Sequence, residues 1–168
     1  FNLLQHKVVL DFKAAEQLNP ASVMKLVTSL GALEILGPSY KWKTEIYTHG
    51  EFAGDTLKGD LIFKGYGDPS LNLERFWMLL NKIRSRGITH IDGNIILDRS
   101  YFDIPHHDSG AFDGKPYRPY NLGPDALMLN FRSSQITFIP NRKNRKIQVH
   151  MIPPLPQLRL VNKLRLTN

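Results

Sequence analysis

The stretch Asn19–Pro38, NPASVMKLVTSLGALEILGP, constrains this chain more than any other. Asn19 can cap a helix, Pro20 suits the first helical position, and Gly37-Pro38 ends it. Between these signals Val23, Leu26, Val27, Leu30 and Leu33 recur at helical spacing, and Ala32, Ile35 and Leu36 widen the stripe. The spacing predicts a helix buried on most sides. Near its start stand Ser22 and Lys25, three residues apart and so on one face. A serine hydroxyl is a poor nucleophile until a base takes its proton. A lysine serves as that base only when burial or neighbouring positive charge keeps it neutral. Free N–H groups at the helix start favour an oxyanion formed beside Ser22. The plainer alternative is a surface serine and a lysine that happen to share a turn.

Composition sets wider bounds. At 168 residues the chain holds one ordinary core, or one domain and part of another. No apolar run reaches membrane-spanning length, and these 168 residues contain no signal peptide. The absence of cysteine excludes disulfides and cysteine-based metal sites. The net charge of +7 is uneven: residues 126–168 carry eight Lys or Arg and no acid, whereas 1–125 carry fourteen bases against fifteen acids. Such a basic end suits nucleic acid, anionic lipid or cell-wall polymer. The densest part, 141–146, lies between two strand-like runs and reads as a solvated hairpin turn, which argues against nucleic acid.

Along the chain, Lys7–Phe12 reads as a strand, followed by the Ser22 helix and a strand over Trp42–Thr48. Thr56–Lys64 is a further strand, ended by the Gly65–Pro69 turn. Asn72–Arg86 is an amphipathic helix with Leu73, Phe76, Trp77, Leu80 and Ile83 on its stripe and Gly87 as its stop. Thr89–Asp98 is a strand, and 100–124 is a long irregular loop of the kind that carries function. Ala126–Phe131, Gln135–Ile139, Lys146–Ile152 and Gln157–Leu164 follow as strands.

Two smaller constellations read as structural. His106-His107-Asp108, with Asp103 and Asp113 nearby, has metal-binding residue types, but adjacent histidines in an extended loop point apart, so no metal site is assigned. Gly65–Leu71 has glycines without the strand-to-helix setting of a phosphate loop.

The Asn19–Pro38 string resembles the active-site helix of penicillin-binding protein 4-type D-alanyl-D-alanine carboxypeptidases, which trim bacterial peptidoglycan. The likeness runs on through Gly59-Asp60-Leu61, Gly65-Tyr66-Gly67-Asp68-Pro69-Ser70-Leu71 and Ile91-Asp92-Gly93-Asn94-Ile95-Ile96-Leu97-Asp98. It continues through Tyr120-Asn121 and Pro153-Pro154-Leu155-Pro156. The resemblance implies an α+β chain in two pieces. Residues 1–48 would be an incomplete part of a serine β-lactamase/transpeptidase-like domain carrying the active-site helix, and 49–168 a strand-rich inserted domain. Ser22 would then be the nucleophile, Lys25 its base, and Asp113 the carboxylate that the inserted domain lends to substrate binding. No cofactor is implied.

Peptidoglycan peptides are the implied substrates and β-lactams the covalent inhibitors. The implied location is the periplasm or another exported setting, with peripheral membrane association left open. Enzymes of this kind also use S-x-N and K-T-G motifs. Ser133-Ser134-Gln135 does not supply the former. Lys43-Thr44-Glu45 lacks the glycine of the latter and reads as part of a strand. The chain is therefore expected to be an N-terminal fragment, inactive alone. A non-catalytic module binding cell-wall polymer or polyanions, and an S-x-x-K β-lactamase relative, are the alternatives.

Overall fold

The computed structural model describes residues 4–166. It separates into two compact units, Phe1–Lys41 and Trp42–Asn168. In the first, a 3₁₀ turn at Ala21–Val23 leads into α1 (Met24–Leu36). Gly37 ends the helix at φ +79°, and its N–H donates to Leu33 O at 2.9 Å, as the Gly-Pro stop predicts. The expected burial is not found: no residue of α1 is buried, and Leu26 is 71% exposed. The helix is apolar on nearly every side, so each face awaits cover that the described residues of this unit do not provide. Lys7–Phe12 is likewise irregular, with one bridge position at Lys7 rather than a strand. An isolated extended run gains no ladder hydrogen bonds, and no second strand is described in this unit.

The second unit is organised on β1 (Thr44–Ala53) and β2 (Thr56–Gly65), an antiparallel hairpin paired over its whole length. This pairing runs through Thr48, so the sheet begins before residue 49 and the two compact units divide ahead of it. From β2 the chain crosses over through α2 (Leu73–Ser85) and returns parallel to β2 as β3 (His90–Asp92) and β4 (Ile95–Asp98). Asn72 caps α2, its Oδ1 accepting the Arg75 N–H at 2.8 Å.

The core lies between β2 and α2. Leu57, Leu61, Phe63 and Ile83 are buried, with Ile46, Phe76, Leu79 and Ile88 packed around them. Phe63 and Phe76 meet tilted, with centroids 5.9 Å apart. The inward stripe of α2 is thus Phe76, Leu79 and Ile83. Trp77 lies off it and is 65% exposed, a correction to the expected stripe.

Three predicted strands take other forms. Thr89–Asp98 is split at Gly93-Asn94, where the Asn94 N–H turns to Asp60 Oδ1 at 2.8 Å and Leu61 N–H donates to Asn94 O at 2.9 Å. A Cβ on Gly93 would stand 2.2 Å from Gly59 O, so the close approach requires glycine there. Ala126–Phe131 is not a strand, because its backbone serves the end of β2 instead. Ala126 O accepts the Gly67 N–H at 2.7 Å, and residues 130–132 form a 3₁₀ turn with three successive positive φ angles. Gln157–Leu164 is irregular as well, tied back by Asn162, whose amide donates to Ile147 O at 2.6 Å. Gln135–Asn141 and Lys146–Ile152 do form an antiparallel hairpin, β5 and β6, with the basic turn exposed between them.

Candidate active site

Ser22 and Lys25 flank the junction between the 3₁₀ turn and α1. Asn19 organises the entry, its Oδ1 accepting the Ala21 N–H at 2.9 Å. Pro20 caps the 3₁₀ turn at φ −69°, and Val23 N–H donates to Pro20 O at 2.9 Å. The α-helix starts at Met24 rather than at Pro20, which leaves Ser22 in the tight turn and Lys25 in the first helical turn. Ala21, immediately before Ser22, has φ +45°, in the region that favours glycine. Non-glycine residues held there cluster at functional sites. Both Ser22 and Lys25 are exposed, and no hydrogen bond joins them among the described residues.

Asp113 lies in the second unit. Its carboxylate accepts from Tyr120 Oη at 2.7 Å, Asn121 Nδ2 at 2.6 Å and the Lys115 N–H at 2.9 Å, and Arg118 Nη1 lies 3.3 Å away. Tyr120's hydroxyl, followed by the Lys115 N–H and the Asn121 amide, holds the carboxyl below its ordinary pKa despite partial desolvation. Asp113 is therefore ionised and rigidly held, the anchor of its loop rather than a freely solvated side chain. His107 packs against Gly123 and its Nε2 lies 2.8 Å from Asn121 O. Among the described residues no three His, Cys, Asp or Glu side chains come together to hold a metal.

Two arrangements escaped the sequence reading. Ser70-Leu71-Asn72 has S-x-N spacing, but its side chains serve local structure: Ser70 Oγ donates to Asp68 Oδ1 at 2.5 Å, and Asn72 caps α2. The second centres on Glu45. Lys43 Nζ donates to its Oε1 at 2.8 Å, and the hydroxyls of Tyr47, at 2.6 Å, and Tyr66 donate to its Oε2. Alternation along β1 brings residues 45 and 47 to one face, but Tyr66 joins them only through the β1–β2 register.

The Lys43 ammonium, then the two hydroxyls, lower the Glu45 pKa from 4.5 to about 2. Glu45 in turn raises Tyr47 from 10.0 to about 12. A depressed carboxyl stabilises above its ordinary pKa and loses that stabilisation as pH falls through the folded value. A raised phenol stabilises below its ordinary pKa and loses it as pH rises. The cluster is thus intact between about pH 4.5 and 10. Spectrophotometric titration is expected to show a tyrosine ionising near pH 12, and Glu45→Gln is expected to return it toward 10. Unchanged late ionisation in Glu45→Gln would contradict the assignment.

The family model described as D-Ala-D-Ala carboxypeptidase 3 (S13) matches residues 1–167, a span that includes Ser22, Lys25 and Asp113. The chain belongs to this family. Among curated carboxypeptidases it is 29% identical over 109 residues to the D-alanyl-D-alanine carboxypeptidase DacB of Haemophilus influenzae, covering 65% of this chain and 22% of that protein. It is 34% identical over 88 residues to the D-alanyl-D-alanine carboxypeptidase of Actinomadura sp. strain R39, covering 52% of this chain and 16% of that one.

The crystal structure of penicillin binding protein 4 from Haemophilus influenzae superposes with TM-score 0.73 at 22% identity, covering 91% of this chain and 34% of that one. The same protein complexed with a novel β-lactam superposes with TM-score 0.62 at 22% identity, covering 89% of this chain and 30% of that one. The mixed α/β fold therefore matches part of the fold of that penicillin binding protein. The chain spans under a quarter of the length of the two curated relatives.

Proposed function

We propose that this chain carries the nucleophile of a serine-type D-Ala-D-Ala carboxypeptidase or endopeptidase that acts on peptidoglycan stem peptides and is acylated by penicillins. The observation that carries the reading is the family match over residues 1–167, which takes in Ser22 and Lys25 at the entry to an apolar helix. We assign the first unit to a transpeptidase-like catalytic domain and the second to a domain inserted into it. An exported cell-envelope location goes with that substrate.

Chemically the proposal is acyl transfer. Ser22 Oγ attacks the carbonyl between the two terminal D-alanines as its proton passes to Lys25 Nζ. The tetrahedral oxyanion collapses, the C–N bond breaks, and the amine of the departing D-alanine takes up the proton. Water then attacks the Ser22 ester, giving up a proton to Lys25, and the shortened peptide leaves with Ser22 Oγ reprotonated. Asp113, ionised and pre-positioned, is assigned the recognition of an amino group on the stem peptide. No K-T-G occurs within these 168 residues, and the S-x-N spacing at Ser70 is spent on capping α2. The proposal therefore places both motifs in the part of the relatives' length that this chain does not span. The test is D-alanine release from a peptide ending in D-Ala-D-Ala, using the protein at its relatives' full length. Ser22→Ala is expected to abolish release, and release at the unmutated rate would refute the assignment.

A further inference from the structure

Beside the Glu45 cluster, at the end of β2, runs a strip of partly exposed aromatic rings. Tyr66 and Tyr101 lie 4.7 Å apart between centroids, and Tyr101 and Phe102 lie 5.1 Å apart. Gly67, at φ +85°, lets the strip continue, because a Cβ there would stand 2.6 Å from the Phe102 ring and 3.6 Å from that of Trp42. These rings are not core: Tyr101 is 53% exposed, and Trp42 and Phe102 are also open to solvent. Contiguous exposed apolar surface rimmed by polar groups marks an interaction site.

The polar rim narrows the ligand. Lys43 Nζ sits 4.1 Å from the Tyr66 ring centroid and donates to Glu45, and Lys64 Nζ pairs with Asp98 at 3.3 Å. Two ammonium groups face two carboxylates, so the strip has no net charge to offer. Nucleic acid and anionic lipid both call for a surplus of cations. The Tyr47 and Tyr66 hydroxyls donate their hydrogen bonds to Glu45, which leaves lone pairs on their oxygens to accept from N–H and O–H groups outside. A neutral ligand with an apolar C–H face and outward hydroxyl or amide groups meets all three features. A sugar ring bearing an acetamide is such a ligand: its C–H face lies on an aromatic face while its polar edge reaches the rim.

We propose that Trp42, Tyr66, Tyr101 and Phe102, with the Glu45-held tyrosine hydroxyls, form a platform for the N-acetylated amino-sugar backbone of peptidoglycan. This rests on the peptidoglycan reading above and extends it from the stem peptide to the glycan. The platform would hold the polymer through the second unit, separately from the chemistry at Ser22.

The test is calorimetric titration of the 168-residue chain with chitotetraose, a peptide-free chain of N-acetylglucosamine. Saturable binding is expected, weakened at least about tenfold by Tyr101→Ala and retained by Tyr101→Trp, which keeps a ring to stack on. Tyr101 is exposed enough for both variants to fold, and circular dichroism checks this. Absence of saturable binding, or Tyr101→Ala binding as tightly as the unmutated chain, would overturn the platform. D-alanine release at full length reads the catalytic proposal separately. Release without glycan binding overturns the platform alone, whereas glycan binding without release supports it and counts against the catalytic assignment.

Discussion

Replacing Asp125 with Ala is expected to cost the second unit about 3 kcal/mol of stability. Its carboxylate is 1% exposed and ties three segments together. Arg99 grips it in a two-point fork, Nε to Oδ1 at 2.8 Å and Nη2 to Oδ2 at 2.6 Å, and Arg132 adds a third charged contact. The Leu127 N–H donates to the same Oδ1 at 3.0 Å. Both arginines keep about half their surface in water, so on loss of the carboxylate they re-solvate rather than remain buried and unpaired. The cost is therefore the lost attraction together with an orphaned Leu127 N–H.

It spreads further, because the 125–127 turn carries Ala126 O onto Gly67 and packs Leu127 on the core. Asp125→Asn keeps an acceptor for that N–H and is expected to cost about half as much. Urea unfolding followed by Trp42 and Trp77, both in this unit, measures the difference. A loss below about 1 kcal/mol for Asp125→Ala would mean that the turn is held by packing alone.

What the sequence made legible follows local chemistry. Asn72, the apolar spacing of α2 and Gly87 are local signals, and α2 forms where they place it. The β5–β6 hairpin likewise follows from alternation on either side of turn residues, whereas β1 runs through Gly50 to Ala53, beyond the Trp42–Thr48 strand that alternation marked. Ala126–Phe131 shows where such reading stops. Its apolar run has strand composition, but Asp125 is captured by Arg99, 26 residues earlier, and Ala126 O by Gly67, so tertiary bonds override propensity. Trp77 was misplaced because a second aromatic beside Phe76 cannot share its helix face. At the candidate site Ser22 and Lys25 were readable as a spaced pair, but Asn19 does not cap α1 as expected: its Oδ1 accepts the Ala21 N–H, and α1 starts after Val23 with no side-chain cap. The 3₁₀ entry with Ala21 at positive φ was not, since no glycine marks it. The ligation of Asp113 by Tyr120 and Asn121 depends on how a loop folds back on itself, which periodicity does not report.

The other large effect concerns Ser22 itself. A β-lactam presents a strained amide in place of the D-alanyl-D-alanine bond, so the serine that attacks the one is acylated by the other. With Lys25 as the proposed base, Lys25→Ala is expected to leave the hydroxyl holding its proton at the moment of attack and to slow acylation by about 10²–10⁴-fold. The 168-residue chain alone is expected to react far more slowly than a full-length protein, one of its relatives' length that carries K-T-G. It lacks K-T-G, and losing one oxyanion donor typically costs about 10²–10³ in rate. The most direct measurement is the intact mass of the full-length protein after incubation with penicillin, alongside its Ser22→Ala variant. A mass increase of one penicilloyl group in the unmutated protein, located at Ser22 and absent from Ser22→Ala, is the predicted result. Acylation of Ser22→Ala at the unmutated rate would contradict the account.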